Sequence, residues 1–104
     1  MGSTLGIDEA IKILREAIDK ACKACDSYLT TRKFDTCCWI LLNEVGAVFR
    51  EHGYPEYDVK MKITKTIGYR IKEVLQSEKE KGEMQESIEQ ILTEELFDFH
   101  GENI

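Results

Sequence analysis

The sequence contains little that would interrupt a helix or cross a membrane. One proline and seven glycines occur in 104 residues, and these are the residue types that most disfavour helix interiors. The longest uninterrupted apolar run is 37–42, far below the roughly 20 residues that a membrane-spanning helix needs. A charged-then-apolar leader is also lacking, so we expect a cytoplasmic protein without a membrane span.

Length and composition favour one folded domain. A chain of 104 residues is shorter than the ~150 residues expected per domain, and a hydrophobic content of 42% is enough to fill one core. We leave out the first three residues and predict a single domain over 4–104. The four cysteines lie inside amphipathic helix patterns that need no disulfides, so we expect reduced thiols.

Apolar side chains recur every three or four residues along most of the chain, which is the spacing of an amphipathic helix. The pattern predicts four helices, over about 8–29, 35–52, 55–77 and 83–101. Asp8 suits the first N-cap, and Gly53 followed by Pro55 suits the end of the second helix. No segment of the sequence alternates like a strand. We therefore predict an all-α, antiparallel, up-down four-helix bundle, with partial fusion of helices three and four across Gly82 as the main alternative.

The cysteines are the first candidate ligands. Cys22 and Cys25 form a Cys-x-x-Cys pair, and Cys37 and Cys38 follow, so four thiols are available for a structural zinc ion. Adjacent helical residues point about 100° apart, which disfavours convergence of Cys37 and Cys38 on one ion. Cys25 lies at the centre of the apolar face of helix one, and Cys38 also points inward. We predict that the thiols pack in the core, with zinc binding or redox chemistry as alternatives.

Three titratable side chains stand out by position. His52 and His100 fall in the last turns of their helices, where an imidazolium favourably meets the helix carboxyl end, so we predict structural roles for both. Glu95 projects into the middle of the apolar face of helix four. An unpaired buried carboxylate costs several kcal/mol, so we expect a basic partner for it. The candidates are Arg70, Lys60 and His52, and an acid with a raised pKa is the functional alternative.

Carboxylates repeat at spacings of three and four on helix four, at Glu83, Glu86 and Glu89 and then at Glu94 and Asp98. This pattern resembles the Glu-x-x-Glu and Glu-x-x-Asp magnesium boxes of all-α NTP pyrophosphatases of the MazG type. The resemblance implies a metal-dependent phosphohydrolase. It covers fewer than twenty residues of one helix, whereas that family places its acids on two facing helices. Because Glu86 and Glu89 point away from the apolar stripe, we interpret the acids as a solvated face.

Charge is distributed unevenly along the chain. Residues 59–72 carry five basic and no acidic side chains, whereas residues 73–104 carry ten acidic and two basic ones. The formal net charge of −6 would repel nucleic acid, so we predict no nucleic-acid partner. We expect the basic stretch to pair with the acidic helix beside it.

Helix two has more apolar surface than one bundle face absorbs. Between residues 37 and 49 only Asn43 and Glu44 are polar, so this helix is either central to an irregular bundle or covered by another chain. A tryptophan beside small residues and an arginine is typical of a protein-binding surface, which favours the second interpretation. The predicted surface consists of Trp39, Ile40, Asn43, Gly46, Ala47 and Arg50, and Phe97 on helix four is a further candidate anchor.

These observations predict a small acidic protein-interaction or regulatory module. It would bind a protein partner, or itself as a homodimer, through the outward side of helix two. No catalytic residue and no cofactor is predicted. The alternatives are a zinc-binding domain that uses the cysteines and a small magnesium-dependent phosphohydrolase that uses the carboxylates of helix four.

Overall fold

The computed structural model of the chain describes residues 6–58, 65–77 and 79–102. Within these ranges the protein is all-α and has no strand, which confirms the predicted fold class. Its helices are α1 (Ile7–Ala24), α2 (Asp26–Thr30), α3 (Phe34–Glu51), α4 (Lys65–Gln76) and α5 (Lys81–Glu102). A short helical turn covers 55–58, between α3 and α4. No helix in the described ranges is long and apolar enough to span a membrane.

One cluster of buried apolar side chains holds the helices together. Helix α1 packs against α3 and α5, and α4 packs against the same two helices. Leu14 and Ile18 of α1 and Leu41 and Phe49 of α3 are almost completely buried. Each such side chain contributes about 1.5–3 kcal/mol to folding relative to an exposed one. The core is therefore built from the apolar faces that the periodicity predicts.

The stripes predicted for the last two long helices are confirmed where the structure describes them. On α4, Ile67, Ile71 and Leu75 are buried, and Val74, also predicted for this stripe, is partly buried against the core. Val59 and Ile63, which the pattern adds to that stripe, lie outside the described residues. The buried residues of α5 are Met84, Ile88, Ile91, Leu92 and Leu96. The side chain of Phe99, predicted to complete this face, also lies outside the described set.

The end of α3 has the chemistry that the sequence predicts. Gly53 has a positive φ of 89°, a conformation that glycine adopts without a steric penalty. Its N–H donates to the Arg50 carbonyl at 2.9 Å, and the Tyr54 N–H donates to the Phe49 carbonyl at 2.8 Å. This pair of hydrogen bonds is the Schellman motif, which satisfies carbonyls that the helix leaves unpaired.

The first helix differs from the prediction at both ends. Gly6, with φ −63° and ψ 148°, occupies the N-cap without a side-chain hydrogen bond, so the prediction of Asp8 as N-cap is wrong. Asp8 instead lies in the first turn, where a negative charge favourably meets the helix amino end. The helix also stops before Leu29, because Cys25 at φ −100° and ψ 6° separates α1 from α2.

A second Schellman motif ends α2, but without glycine. Arg32 has a φ of 60°, and its N–H donates to the Leu29 carbonyl at 3.1 Å. The Lys33 N–H donates to the Tyr28 carbonyl at 2.8 Å. A non-glycine residue in this left-handed region carries about 1–2 kcal/mol of strain. The Arg32 guanidinium lies 5.2 Å from the centre of the Phe34 ring, a cation–π contact that offsets part of this strain.

Helices α4 and α5 are separate. The first ends at Gln76 and the second begins at Lys81, so they are not fused across Gly82. That glycine lies in the first turn of α5, and the helix passes Gly101 to end at Glu102.

Candidate functional site

Large aromatic side chains are exposed on four of the described helices. Trp39 is 67% exposed, Tyr69 is 72% exposed and Phe97 is 55% exposed, whereas Tyr28 of α2 is 37% exposed. The surface position predicted for Trp39 is therefore confirmed. Aromatic residues of this size are enriched at binding hot spots and are usually at least partly covered in a monomer. They are the first indication of an interaction surface.

The predicted helix-two surface divides along two sides of α3. Trp39, Asn43 and Arg50 are exposed, and their helical positions share one stripe. Ile40 and Ala47 are only partly exposed, and Ile40 packs against the core. The exposed stripe is thus narrower and more polar than the sequence suggests.

The predicted outward position of Gly46 is wrong. Gly46 is buried, and a Cβ built on it would overlap the Asp58 carboxylate, whose Cγ would lie only 2.7 Å away. The reason is tertiary: the helical turn at 55–58 folds back over α3 and brings Asp58 onto the glycine. Gly46 therefore permits a close contact inside the protomer, and it does not offer a surface for a second chain.

Asp58 also pairs with Arg50, a residue of the predicted surface. It is only 7% exposed, and its carboxylate forms an ion pair with the Arg50 guanidinium. A buried carboxylate needs such a partner, because desolvation without one costs several kcal/mol. Arg50 is thus first a structural partner of Asp58, and only its exposed part remains available to another molecule.

Aromatic packing anchors the same returning segment. Tyr57 is 1% exposed, and its ring stacks on Phe49 with centroids 4.9 Å apart and an interplanar angle of 9°. Tyr54 meets Tyr57 edge-on, with centroids 6.2 Å apart. Burial raises the pKa of Tyr57, because the charged phenolate loses its hydration. Segment 54–58 is therefore a fixed part of the fold beside the carboxyl end of α3.

Tyr69 is exposed on α4, which packs against α3. The Cys38 thiol donates to the Gly68 carbonyl at 3.5 Å, and Lys72 Nζ lies 2.7 Å from Asp35 Oδ1. Cys38 and Gly68 are the chain neighbours of Trp39 and Tyr69, so the two exposed aromatic residues lie at the same level of the α3–α4 contact. Trp39, Asn43 and Tyr69 are called the aromatic surface below. Hydrophobic periodicity did not identify Tyr69, because it predicts which face of α4 is buried and does not distinguish one exposed residue from another.

The cysteines pack as core residues, as predicted. Cys25, Cys37 and Cys38 are buried, Cys22 is partly buried, and all four thiols are free. Burial raises the pKa of Cys22 to about 11 and also raises the pKa of Cys38. A hydrogen bond between the two thiols raises the pKa of Cys37 and lowers that of Cys25. Thiols with raised pKa are protonated at neutral pH and are poor nucleophiles.

A pocket of about 370 Å³ opens beside the junction of α1 and α2. Six of the residues that line it carry sulfur or an aliphatic side chain: Cys22, Cys25, Leu29, Leu41, Leu75 and Met84. The other lining residues are polar, and two ion pairs join four of them. Lys81 Nζ is 2.6 Å from Asp26 Oδ1, and Lys23 Nζ is 3.1 Å from Asp19 Oδ2.

Two carboxylates of α5 form ion pairs with neighbouring helices. Glu89 forms an ion pair with Arg15 of α1, and Glu94 Oε2 lies 2.7 Å from Arg70 Nη1 of α4. The second pair supports the expectation that basic residues of helix three meet the acidic helix. Glu95 is partly exposed, so it is less buried than its place in the apolar face of helix four predicts. Among the described residues, no group of three or more His, Cys, Asp or Glu side chains could hold a metal ion.

His52 lies at the end of α3. It is the C-cap of α3, its side chain is 41% exposed, and its Nε2 lies 3.3 Å from Glu16 Oε2. This position at a helix carboxyl end beside a carboxylate fits the structural role predicted for it. The side chain of His100 and the whole of Lys60 lie outside the described residues.

No protein-family model matches the chain, and comparisons with curated proteins and with solved structures found no significant match. The aromatic surface and the sulfur-lined pocket are therefore interpreted from their own geometry.

Proposed function

We propose that the chain is a protein-interaction module that binds its partner through the aromatic surface. The observation that carries the proposal is the exposure of Trp39 and Tyr69, at 67% and 72%, on adjoining helices. Tryptophan and tyrosine supply large apolar contacts and a polar atom at little conformational cost, which is why they dominate binding hot spots. Asn43 adds hydrogen-bonding capacity beside them.

The simplest partner is a second copy of the chain. A two-fold homodimer is the commonest assembly of small soluble proteins, and it would cover the same aromatic side chains on both copies. The ion pair of Asp35 with Lys72 lies at the edge of the surface, so charge there is already balanced within one chain. Four free cysteines favour a reducing compartment, and we place the module in the cytoplasm.

We also propose that the four long helices run alternately up and down, as the sequence predicts. Contacts between helices support this arrangement, because residues that come later in one helix contact residues that come earlier in its neighbour. Asp35 meets Lys72 while Cys38 meets Gly68. Likewise, Arg15 meets Glu89 while Asp26 meets Lys81. Both sets fit antiparallel neighbours.

Light scattering coupled to size exclusion tests the interaction surface. We expect wild type to elute as a dimer, and we expect Trp39→Glu with Tyr69→Lys to elute as a folded monomer, because charges at a desolvated contact are costly. Phe97→Lys is the matched control. It also replaces an exposed aromatic by a charge, but on α5, which packs against α1 and α4. The proposed surface does not include this predicted anchor, so the variant should leave the dimer intact.

A dimer that survives the double substitution would contradict the proposal. If wild type is monomeric, self-association is wrong and the partner is a different protein. A partner retained by wild type and Phe97→Lys but lost by the double variant would support the same surface. One retained by all three proteins would exclude that surface.

A further inference from the structure

Three sulfur-bearing residues line the pocket beside the α1–α2 junction. They are Cys22 and Cys25, at the end of α1, and Met84 of α5. The Cys25 thiol donates to the Cys22 carbonyl at 3.8 Å, which keeps its sulfur next to the turn that carries Cys22. The helix break at Cys25 ends α1 immediately beside the pocket. Residues that carry two thiols and a thioether, from the end of α1 and from α5, therefore line one pocket.

We propose that this pocket binds monovalent copper, with Cys22 and Cys25 as thiolate ligands and Met84 as a thioether ligand. Cu(I) is the common biological metal ion that prefers soft sulfur donors and accepts a low coordination number. Zinc prefers four ligands in a tetrahedron and takes harder donors. The described residues provide no such larger set of His, Cys, Asp and Glu.

The surroundings of the sulfur atoms favour a soft cation over a hard one. Asp19 and Asp26, the two carboxylates that line the pocket, are each paired with a lysine. Leu29, Leu41 and Leu75 also line it, and apolar surroundings limit access of water and of oxidants to a bound Cu(I) ion. Magnesium and calcium need several oxygen ligands, whereas the other side-chain oxygen donor among the described lining residues is that of Gln85.

The charge balance of binding can be written in full. Cu⁺ binds two thiols, two S–H protons pass to the solvent, and a bis-thiolate complex with a net charge of −1 forms without any change of oxidation state. The ammonium group of Lys81 lines the same pocket and offsets that charge. The site thus requires no oxidant, reductant or further ligand.

Competition against bicinchoninate tests the site, with the Cu(I) bicinchoninate complex as the probe and the reduced, full-length chain under anaerobic conditions. We expect wild type to remove about one Cu(I) per chain and to gain thermal stability on loading, since a ligand bound to the native state stabilises it. Cys22→Ser should weaken Cu(I) binding by at least tenfold, because even changes beyond the direct ligands cost about 10–100-fold. Met84→Leu should weaken it by a smaller factor.

Cys38→Ser is the matched control, because Cys38 contacts Gly68 at the α3–α4 contact and does not line the pocket. This variant should bind Cu(I) like wild type. Equal binding by wild type and Cys22→Ser would overturn the proposal, as would the absence of binding to wild type. Loading that lowers the melting temperature would show that copper binds unfolded chain, and it would also overturn the site. The partly exposed position of Cys22 makes its variant the one expected to fold normally.

Discussion

A side chain at position 46 would overlap the Asp58 carboxylate unless Asp58 moved. We expect Gly46→Ala to lower the free energy of unfolding by about 1–3 kcal/mol, because the added methyl group overlaps a buried carboxylate that is paired with Arg50. Urea denaturation measures this change. Gly82→Ala is the matched control, since a Cβ there meets nothing within 4 Å, and it should raise stability by up to about 1 kcal/mol. Equal losses in the two variants would show that the Asp58 contact is unimportant.

Residue-level contacts were the least predictable part of the chain. A glycine among apolar residues on α3 suits a close helix crossing between two chains, and this was the basis for including Gly46 in the predicted surface. Periodicity reports which face a residue occupies, but it cannot report that a segment twelve positions later returns to cover that face. The exposure of Trp39 followed from periodicity, because only neighbours on its own helix were needed to place it.

The turn that ends α2 stores strain that one substitution removes. Arg32 adopts a φ of 60°, so Arg32→Gly should raise the free energy of unfolding by about 0.5–1 kcal/mol, after allowing for the lost contact with Phe34. Lys33→Gly, at a φ of −91°, has no left-handed strain to relieve and should raise stability less than Arg32→Gly does, because glycine adds unfolded-state entropy at both positions. Chemical denaturation of both variants checks the pair. A destabilised Arg32→Gly would mean that the cation–π contact outweighs the strain.

Whole helices were predictable where local chemistry and burial agree. The end of α3 followed from Gly53 and Pro55, because one supplies the positive φ and the other cannot continue a helix. The break at Cys25 was not predictable, because apolar spacing continues through it to Leu29, which still packs against the core. A break between two helices that keep the same apolar face does not change the spacing of the apolar residues, so the hydrophobic pattern cannot predict it.

At the scale of the whole molecule, the burial of Tyr57 makes the free energy of unfolding depend on pH in the alkaline range. Burial raises its pKa above the ordinary value of 10.0, so the folded state favours the neutral phenol. The stability that this provides is complete below pH 10 and is lost as the pH rises through the folded pKa. We expect the free energy of unfolding of wild type to fall above pH 10, by no more than about 1.4 kcal/mol per pH unit from this group.

Tyr57→Phe should remove this part of the alkaline loss, because it keeps the stacking on Phe49 and has no proton to release. Tyr28→Phe, at an exposed tyrosine, is the control and should retain the wild-type pH dependence. Urea denaturation at pH 8 and above pH 10 measures both. Identical pH profiles for wild type and Tyr57→Phe would contradict the burial of a neutral phenol.

The contact between Gly46, Asp58 and Arg50 also constrains how this sequence can diverge. A lineage that acquires a side chain at position 46 must replace Asp58 by a smaller residue, and the change then leaves the guanidinium of Arg50 without its buried partner. Positions 46, 50 and 58 should therefore covary as one unit among descendants of this sequence. An aligned set of such sequences in which glycine at 46 varies independently of aspartate at 58 would show that segment 54–58 rests differently on α3.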